Sequence, residues 1–129
     1  MLFRSSTGRC SWGWSGAPTS TVGSDLEYLA SINLTNDEGS IIGGASSSNI
    51  SGEKNENSNG GIDIWILKID SQGEIQWQNT IGGSGDDNLF LNGKIIQTTD
   101  GGYFLGCTSN SNISGDKTEN SKGSMTFGF

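Results

Sequence analysis

Residues 35–61 and 98–124 are two versions of one text. The first reads TNDEGSIIGGASSSNISGEKNENSNGG and the second TTDGGYFLGCTSNSNISGDKTENSKGS. At a constant offset of 63 (98 − 35), 15 of the 27 aligned positions are identical. The same offset pairs Trp14 with Trp77, Leu26 with Leu89 and Ile32 with Ile95, without a gap. A fixed period of this length signals one supersecondary unit copied in tandem, whose burial comes from stacking on its neighbours.

Composition agrees with such a unit. Only 31% of the 129 residues are hydrophobic and 21 are Gly. A chain this turn-rich buries little core alone. Its apolar residues nevertheless cluster in short runs, unlike those of a disordered chain. The runs end at turn signals, which is the pattern of strands. A first strand is expected over 26–34, followed by a turn at Asn36-Asp37-Glu38-Gly39. There Asp37 can bond its own backbone and Gly39 tolerates positive φ. A second strand is expected over 40–45, then a polar loop over 46–61 whose one large apolar residue is Ile50. The third strand, 62–69, is apolar on both faces and should be covered on both. Gly73 suits the left-handed position of the hairpin turn that follows, and a fourth strand over 74–81 carries Ile75 and Trp77 on one face. Gly82-Gly83-Ser84-Gly85-Asp86-Asp87 leads to the next copy. That copy restarts at Leu89 and repeats the turn at Asp100-Gly101-Gly102. No segment has helical spacing. The expected fold is all-β, with each unit a four-stranded antiparallel meander of the size of one β-propeller blade.

Several function classes are disfavoured. The formal net charge is −7, so no basic stripe is present to neutralise the phosphates of a nucleic acid. There is no histidine, which removes imidazole acid–base chemistry and His-bearing zinc sites. No apolar run is long enough for a membrane span. The two cysteines, Cys10 and Cys107, read as small apolar residues, and their pairing is not decided by the sequence. Lone patterns such as Gly83-Ser84-Gly85 lack the strand-to-helix setting of a nucleotide site.

The strings IQWQNTIGGSGDD, TTDGGY and SGDKTENSKG resemble tandem propeller-like repeats of large secreted bacterial surface proteins, many of which end in a type IX secretion sorting domain. DIWILKIDSQGEIQW is similar to the third and fourth strands of that repeat. The resemblance covers roughly residues 24–123. It implies a propeller blade, an exported parent protein, an extracellular or cell-surface location, and partners in the remaining blades of that parent. It implies no known reaction. On this reading, residues 1–22 form a weakly repeat-like N-terminal segment, 23–85 a first repeat, and 86–129 a second, truncated one. About one and a half blades are then present, where a propeller closes with typically four to eight. The chain reads as a piece of a longer protein that should be poorly soluble or oligomeric alone.

The candidate sites divide between structure and ligand. Glu53, Asn55, Asn57 and Asp63, with Asp116, Thr118 and Asn120, are oxygen donors at short spacing, which suits calcium. Ser58 stands where the calcium-loop pattern needs Gly, and Lys54 and Lys117 sit inside the loops. A self-bonded, solvated loop is therefore the leading reading, with calcium as the alternative. Asp86-Asp87 is a carboxylate pair better suited to a Gly-rich turn than to the facing carboxylates of a glycosidase. Trp65 and Trp77 could stack on sugars, but a strand Trp with a copy at the neighbouring unit suits packing between units. Gly39, Gly73, Gly102, Asp37 and Asp100 read as turn residues. The Asp70–Trp77 segment also resembles the D-x-x-G-x-x-x-W element of quinoprotein dehydrogenase blades, a structural element there.

The expected function is a non-catalytic binding or adhesion scaffold whose ligand is a protein or a carbohydrate. No cofactor is expected, calcium excepted. The alternatives are a calcium-stabilised extracellular module and part of a propeller enzyme, either quinoprotein-like or polysaccharide-active.

Overall fold

A computed structural model describes residues 24–89 and 93–122. Its fold is all-β, with no helix among those residues. Four strands form one antiparallel sheet in sequence order: β1 (Glu27–Leu34), β2 (Ser40–Ser46), β3 (Asp63–Ile69) and β4 (Ile75–Ile81). Each boundary lies within one residue of the sequence expectation. Four shorter strands follow: β5 (Asp87–Asn88), β6 (Lys94–Gln97), β7 (Tyr103–Gly106) and β8 (Thr108–Ser109). β5 pairs with β8 and β6 with β7, both antiparallel.

The 63-residue offset persists in the hairpin register. Ser31 faces Gly43 and Leu34 faces Ser40 in β1–β2, while Lys94 faces Gly106 and Gln97 faces Tyr103 in β6–β7. The registers diverge upstream. Ser46 pairs with Glu27, but its counterpart Ser109 pairs with Asp87, which aligns with Ser24. The strand expected to restart at Leu89 is thus broken. Leu89 is buried and its carbonyl accepts from Gly93 N at 3.0 Å. Residues 90–92 lie outside the described set.

Every residue of β3 is buried, as its two-sided apolar pattern demands. Ile64 and Ile66 join Ile41 on one face and pack with Leu89, Ile95 and Cys107 of the second layer. Trp65, Leu67 and Ile69 join Ile42 on the other face. Burying one such side chain stabilises by about 1.5–3 kcal/mol. Gly43 permits the layers to meet, because a Cβ there would stand 2.7 Å from Leu89 Cδ1 and 3.2 Å from Ile95 Cγ2. Polar bonds stitch the same seam: Asn33 Nδ2 donates to Ile95 O (2.7 Å) and Asn36 N to Gln97 Oε1 (2.8 Å).

The turns hold one correction. Gly73 has φ 86°, as its place in the hairpin requires. In the Thr35–Gly39 turn, however, the positive φ (64°) belongs to Glu38, not to Gly39. Gly39 is needed for space, since a Cβ there would collide with Ile69 O and approach Lys68 Nζ to 2.6 Å. In the second turn Gly101 takes the positive φ (86°), and a Cβ on Gly102 would stand 3.2 Å from Thr98 Oγ1. Asp37 and Asp100 each accept from the i+2 amide, Gly39 N and Gly102 N, at 3.2 Å. Cys107 is buried in the core, whereas Cys10, Trp12 and Trp14 lie outside the described residues, as does the segment 124–129.

Candidate functional site

The two polar loops, 46–61 and 109–122, are the most faithfully repeated surface of the molecule. Each is built around a four-residue turn. Lys54 N donates to Ser51 O (3.0 Å) and Lys117 N to Ser114 O (2.9 Å). Gly52 and Gly115 carry φ values of 55° and 54°. Asn57 Oδ1 accepts from Ile50 N at 3.0 Å, and Asn120 Oδ1 accepts from Ile113 N at 3.1 Å. Ser51 Oγ and Ser114 Oγ donate to Asn49 O and Asn112 O, both at 2.9 Å. The repeated Ser, Asn and Gly residues therefore hold backbone shape by local side-chain bonds.

The lysines are not surface charges. Lys54 is 1% exposed and Lys117 4%. Lys54 Nζ donates to Ser48 O (2.9 Å) and Glu56 O (2.8 Å), gathering two carbonyls of its loop onto one ammonium. Burial pushes its pKa down, while Asp63, Glu56 and Glu27 oppose that shift. A cation inside an acidic, Gly-rich loop does by hydrogen bonding what a bound ion would otherwise do. The repeat marks a Lys at the same place in both loops, but not that it turns inward.

Loop 46–61 also covers the outer edge of β4. Glu56 Oε2 accepts from Thr80 N (2.5 Å), Gln78 Oε1 from Asn55 N (3.2 Å), and Gln78 Nε2 donates to Glu53 O (2.7 Å). Side chains that occupy outward amides protect a sheet edge from pairing.

The linker 82–87 is bonded on both sides. Toward loop 109–122, Asp116 N donates to Gly82 O (2.9 Å), Ser84 N to Ser114 Oγ (2.7 Å), and Gly85 N to Ser111 Oγ (2.9 Å). Toward loop 46–61, Gly61 N donates to Gly85 O (3.1 Å) and Asp87 N to Ile62 O (2.6 Å). The Asp86-Asp87 pair is accordingly split. Asp86 is exposed and its Oδ1 accepts from Ile62 N at 3.0 Å. Asp87 is buried in β5 rather than placed in a turn, because its amide and carboxylate both find partners there.

The calcium candidates do not converge. Asn57 and Asn120 use their Oδ1 atoms on loop amides, Asp116 Oδ2 accepts from Gly82 N (3.2 Å), and Asp63 Oδ2 accepts from Asn59 N (2.5 Å) and Gly60 N (3.3 Å). Glu53 is half-buried and Asn55 exposed. Among the described residues, no three Asp, Glu or Cys side chains gather as a metal cage. Asp63 is itself fully buried. Burial raises its pKa to about 6, and Asp87 adds to the rise, against the Asn59 and Gly60 amides and Lys54.

The two tryptophans part company. Trp65 is 1% exposed and its Nε1 donates to Gln78 Oε1 (2.9 Å), which removes it as a sugar platform. Trp77 meets Tyr103 of the second layer edge-on (5.5 Å between ring centroids, 67°), yet remains 38% exposed. It packs between the layers only in part.

Two features face outward. Ile50 and Ile113, at matching places in the two loops, are 61% and 63% exposed. Between the loops lies an open cleft of about 520 Å³, lined by Glu56, Asn79, Thr80, Ile81, Asp116 and Thr118. Compared with family models, curated proteins and solved structures, the chain matches none.

Proposed function

We propose that the chain is a segment of β-propeller repeats from an exported bacterial surface protein, and that it serves as a non-catalytic binding or adhesion scaffold. The observation that carries this reading is the pair of loops. The same bonds build both, and each presents an isoleucine to solvent at the same place, 63 residues apart. A packing role does not account for an apolar side chain held in water twice over. A contact role does, and repetition of a weak contact multiplies avidity along an array. Support for the blade comes from the four-stranded meander and from the hairpin register that recurs at the repeat spacing. The rigid loops suit recognition because little ordering entropy remains to be lost on contact.

The test is binding of the labelled full chain to arrays of bacterial and host glycans and proteins. The expected result is a ligand retained by the wild type and lost by the Ile50→Ser/Ile113→Ser double variant. A ligand bound equally by both proteins, or turnover of an arrayed substrate, would overturn the reading.

A further inference from the structure

The seam between the two layers has two sides, and the repeat supplies each side a second time with nothing on it. Ile41 and Gly43 stand on the first-sheet side, Ile95 on the second-layer side, and all three are buried. At the 63-residue offset, Phe104 and Gly106 take the places of Ile41 and Gly43, and Ile32 takes the place of Ile95. These positions fall in the stretch where the two hairpins keep the same register. Yet Phe104 is 65% exposed, and Ile32 is exposed as well. Gly43 has Leu89 and Ile95 pressed upon it, whereas a Cβ on Gly106 would meet only Lys94 O, at 4.0 Å. Gly106 thus leaves open the space that Ile95 fills over Gly43.

The uncovered sides are also more apolar than the covered ones. Asn33, which donates to Ile95 O across the seam, corresponds to Ile96, exposed and directly opposite Phe104. Gln97, which accepts from Asn36 N across the seam, corresponds to Leu34, which is 82% exposed. A face that meets only water has no use for such exchanges, whereas a contact face does. The two faces point in opposite directions. The first sheet packs through its Ile41 face, which turns its Ile32 face away. The second layer packs through its Ile95 face, which turns its Phe104 face away on the far side.

We propose that the chain associates head to tail with a second copy of itself, the Ile32 face of one copy seating on the Phe104 face of the other as an intermolecular version of the internal seam. Such a contact joins unlike faces, so each copy engages two others and the assembly grows past a pair. The inference rests on the seam and not on a ligand at the loops.

Sedimentation velocity of the full chain over a dilution series tests this. The wild-type mass should climb past two copies as concentration rises. Phe104→Glu and Ile32→Glu should each weaken association by at least about tenfold. Mixed in equal amounts, the two variants should pair again and stop at two copies, because one retains the Ile32 face and the other the Phe104 face. Thermal midpoints in dilute solution check that each variant is folded, and Phe104→Ser or Leu34→Glu stands in for one that is not. The proposal is overturned by a chain that stays monomeric throughout or by folded variants whose mixture does not pair. It is equally overturned if Phe104→Glu breaks a dimer that Ile32→Glu and Leu34→Glu leave intact, since that contact would be two-fold. Neither face includes Ile50 or Ile113, so this inference and the ligand reading fail separately.

Discussion

The turn at Thr35–Gly39 and the turn at Thr98–Gly102 are made from the same bonds. Thr35 N donates to Gly39 O at 3.0 Å and Thr98 N to Gly102 O at 2.9 Å, and the threonine hydroxyls donate to Asp37 and Asp100 at 2.5 Å in both. They differ in what surrounds them. Asp37 also receives Lys68 Nζ at 2.9 Å, whereas Asp100, among the described residues, is held by its own turn. Glu38 occupies the positive-φ position that Gly101 fills in the second turn. A similar divergence affects the loop serines. Ser48 and Ser111 are equivalent, but the hydroxyl of one reaches Glu27 and that of the other Asp87, residues that do not align. Identical residues thus write local geometry, while the acids that finish the bonding are recruited from wherever the layer provides them.

The comparison can be broken most forcefully at the buried lysines. Lys54→Met should destabilise by about 3 kcal/mol, because two carbonyls and a buried carboxylate lose their cation. Lys117→Met should cost the same within error if the second loop is built like the first. Urea denaturation of the two variants measures this, and a silent Lys117→Met would separate the loops. Next comes the layer contact. Gly43→Ala presses a methyl onto Leu89 and Ile95 and should cost about 1–3 kcal/mol. Gly106→Ala, with its nearest atom at 4.0 Å, should change stability by less than about 0.5 kcal/mol. Smaller still is the turn exchange. Glu38→Gly should stabilise by up to about 1 kcal/mol by relieving a left-handed residue, and Gly101→Glu should do the reverse. Paired thermal scans decide the sign.

The last test is acid. Hydrogen bonds from Thr35 and then Lys68 hold the Asp37 carboxyl far below its ordinary 3.8, with the Gly39 amide assisting against a small desolvation. A depressed folded-state pKa stabilises fully above the ordinary value and is lost as pH drops below it. Between pH 5 and 2, the thermal midpoint of Asp37→Asn should therefore fall less than that of the wild type. Asp100→Asn should show a weaker version of the same effect, since Thr98 and Gly102 lower that group without a cation. Equal slopes for all three proteins would show that Lys68 adds nothing.

The first sheet was legible nearly to the residue. Turn signals bounded β1 and β4, an unbroken apolar run set β3, and turns carrying Asp and Gly closed the hairpins. The alternation expected to put Ile75 and Trp77 on one face fails, because the register shifts between Lys68 and Ile69: Ile75 packs with Trp65, Leu67 and Ile69, and Trp77 meets Tyr103 on the other side. What the sequence hid depends on distant partners. Nothing in the string EKNEN says that the lysine turns inward, because its acceptors Ser48 O and Glu56 O carry no side-chain signature. Asp87 looks like half of an exposed pair until Ser111, 24 residues later, donates to it. Strand period likewise could not place the break after Asn88, where register in the second copy shifts by three residues relative to the first.

Because the glycine-rich linker is laced to both polar loops, it cannot act as a swivel. Tension applied along the polypeptide would load those parallel bonds together, in shear, before either layer could peel from its neighbour. Two units joined in this way would turn as one body rather than about the joint between them.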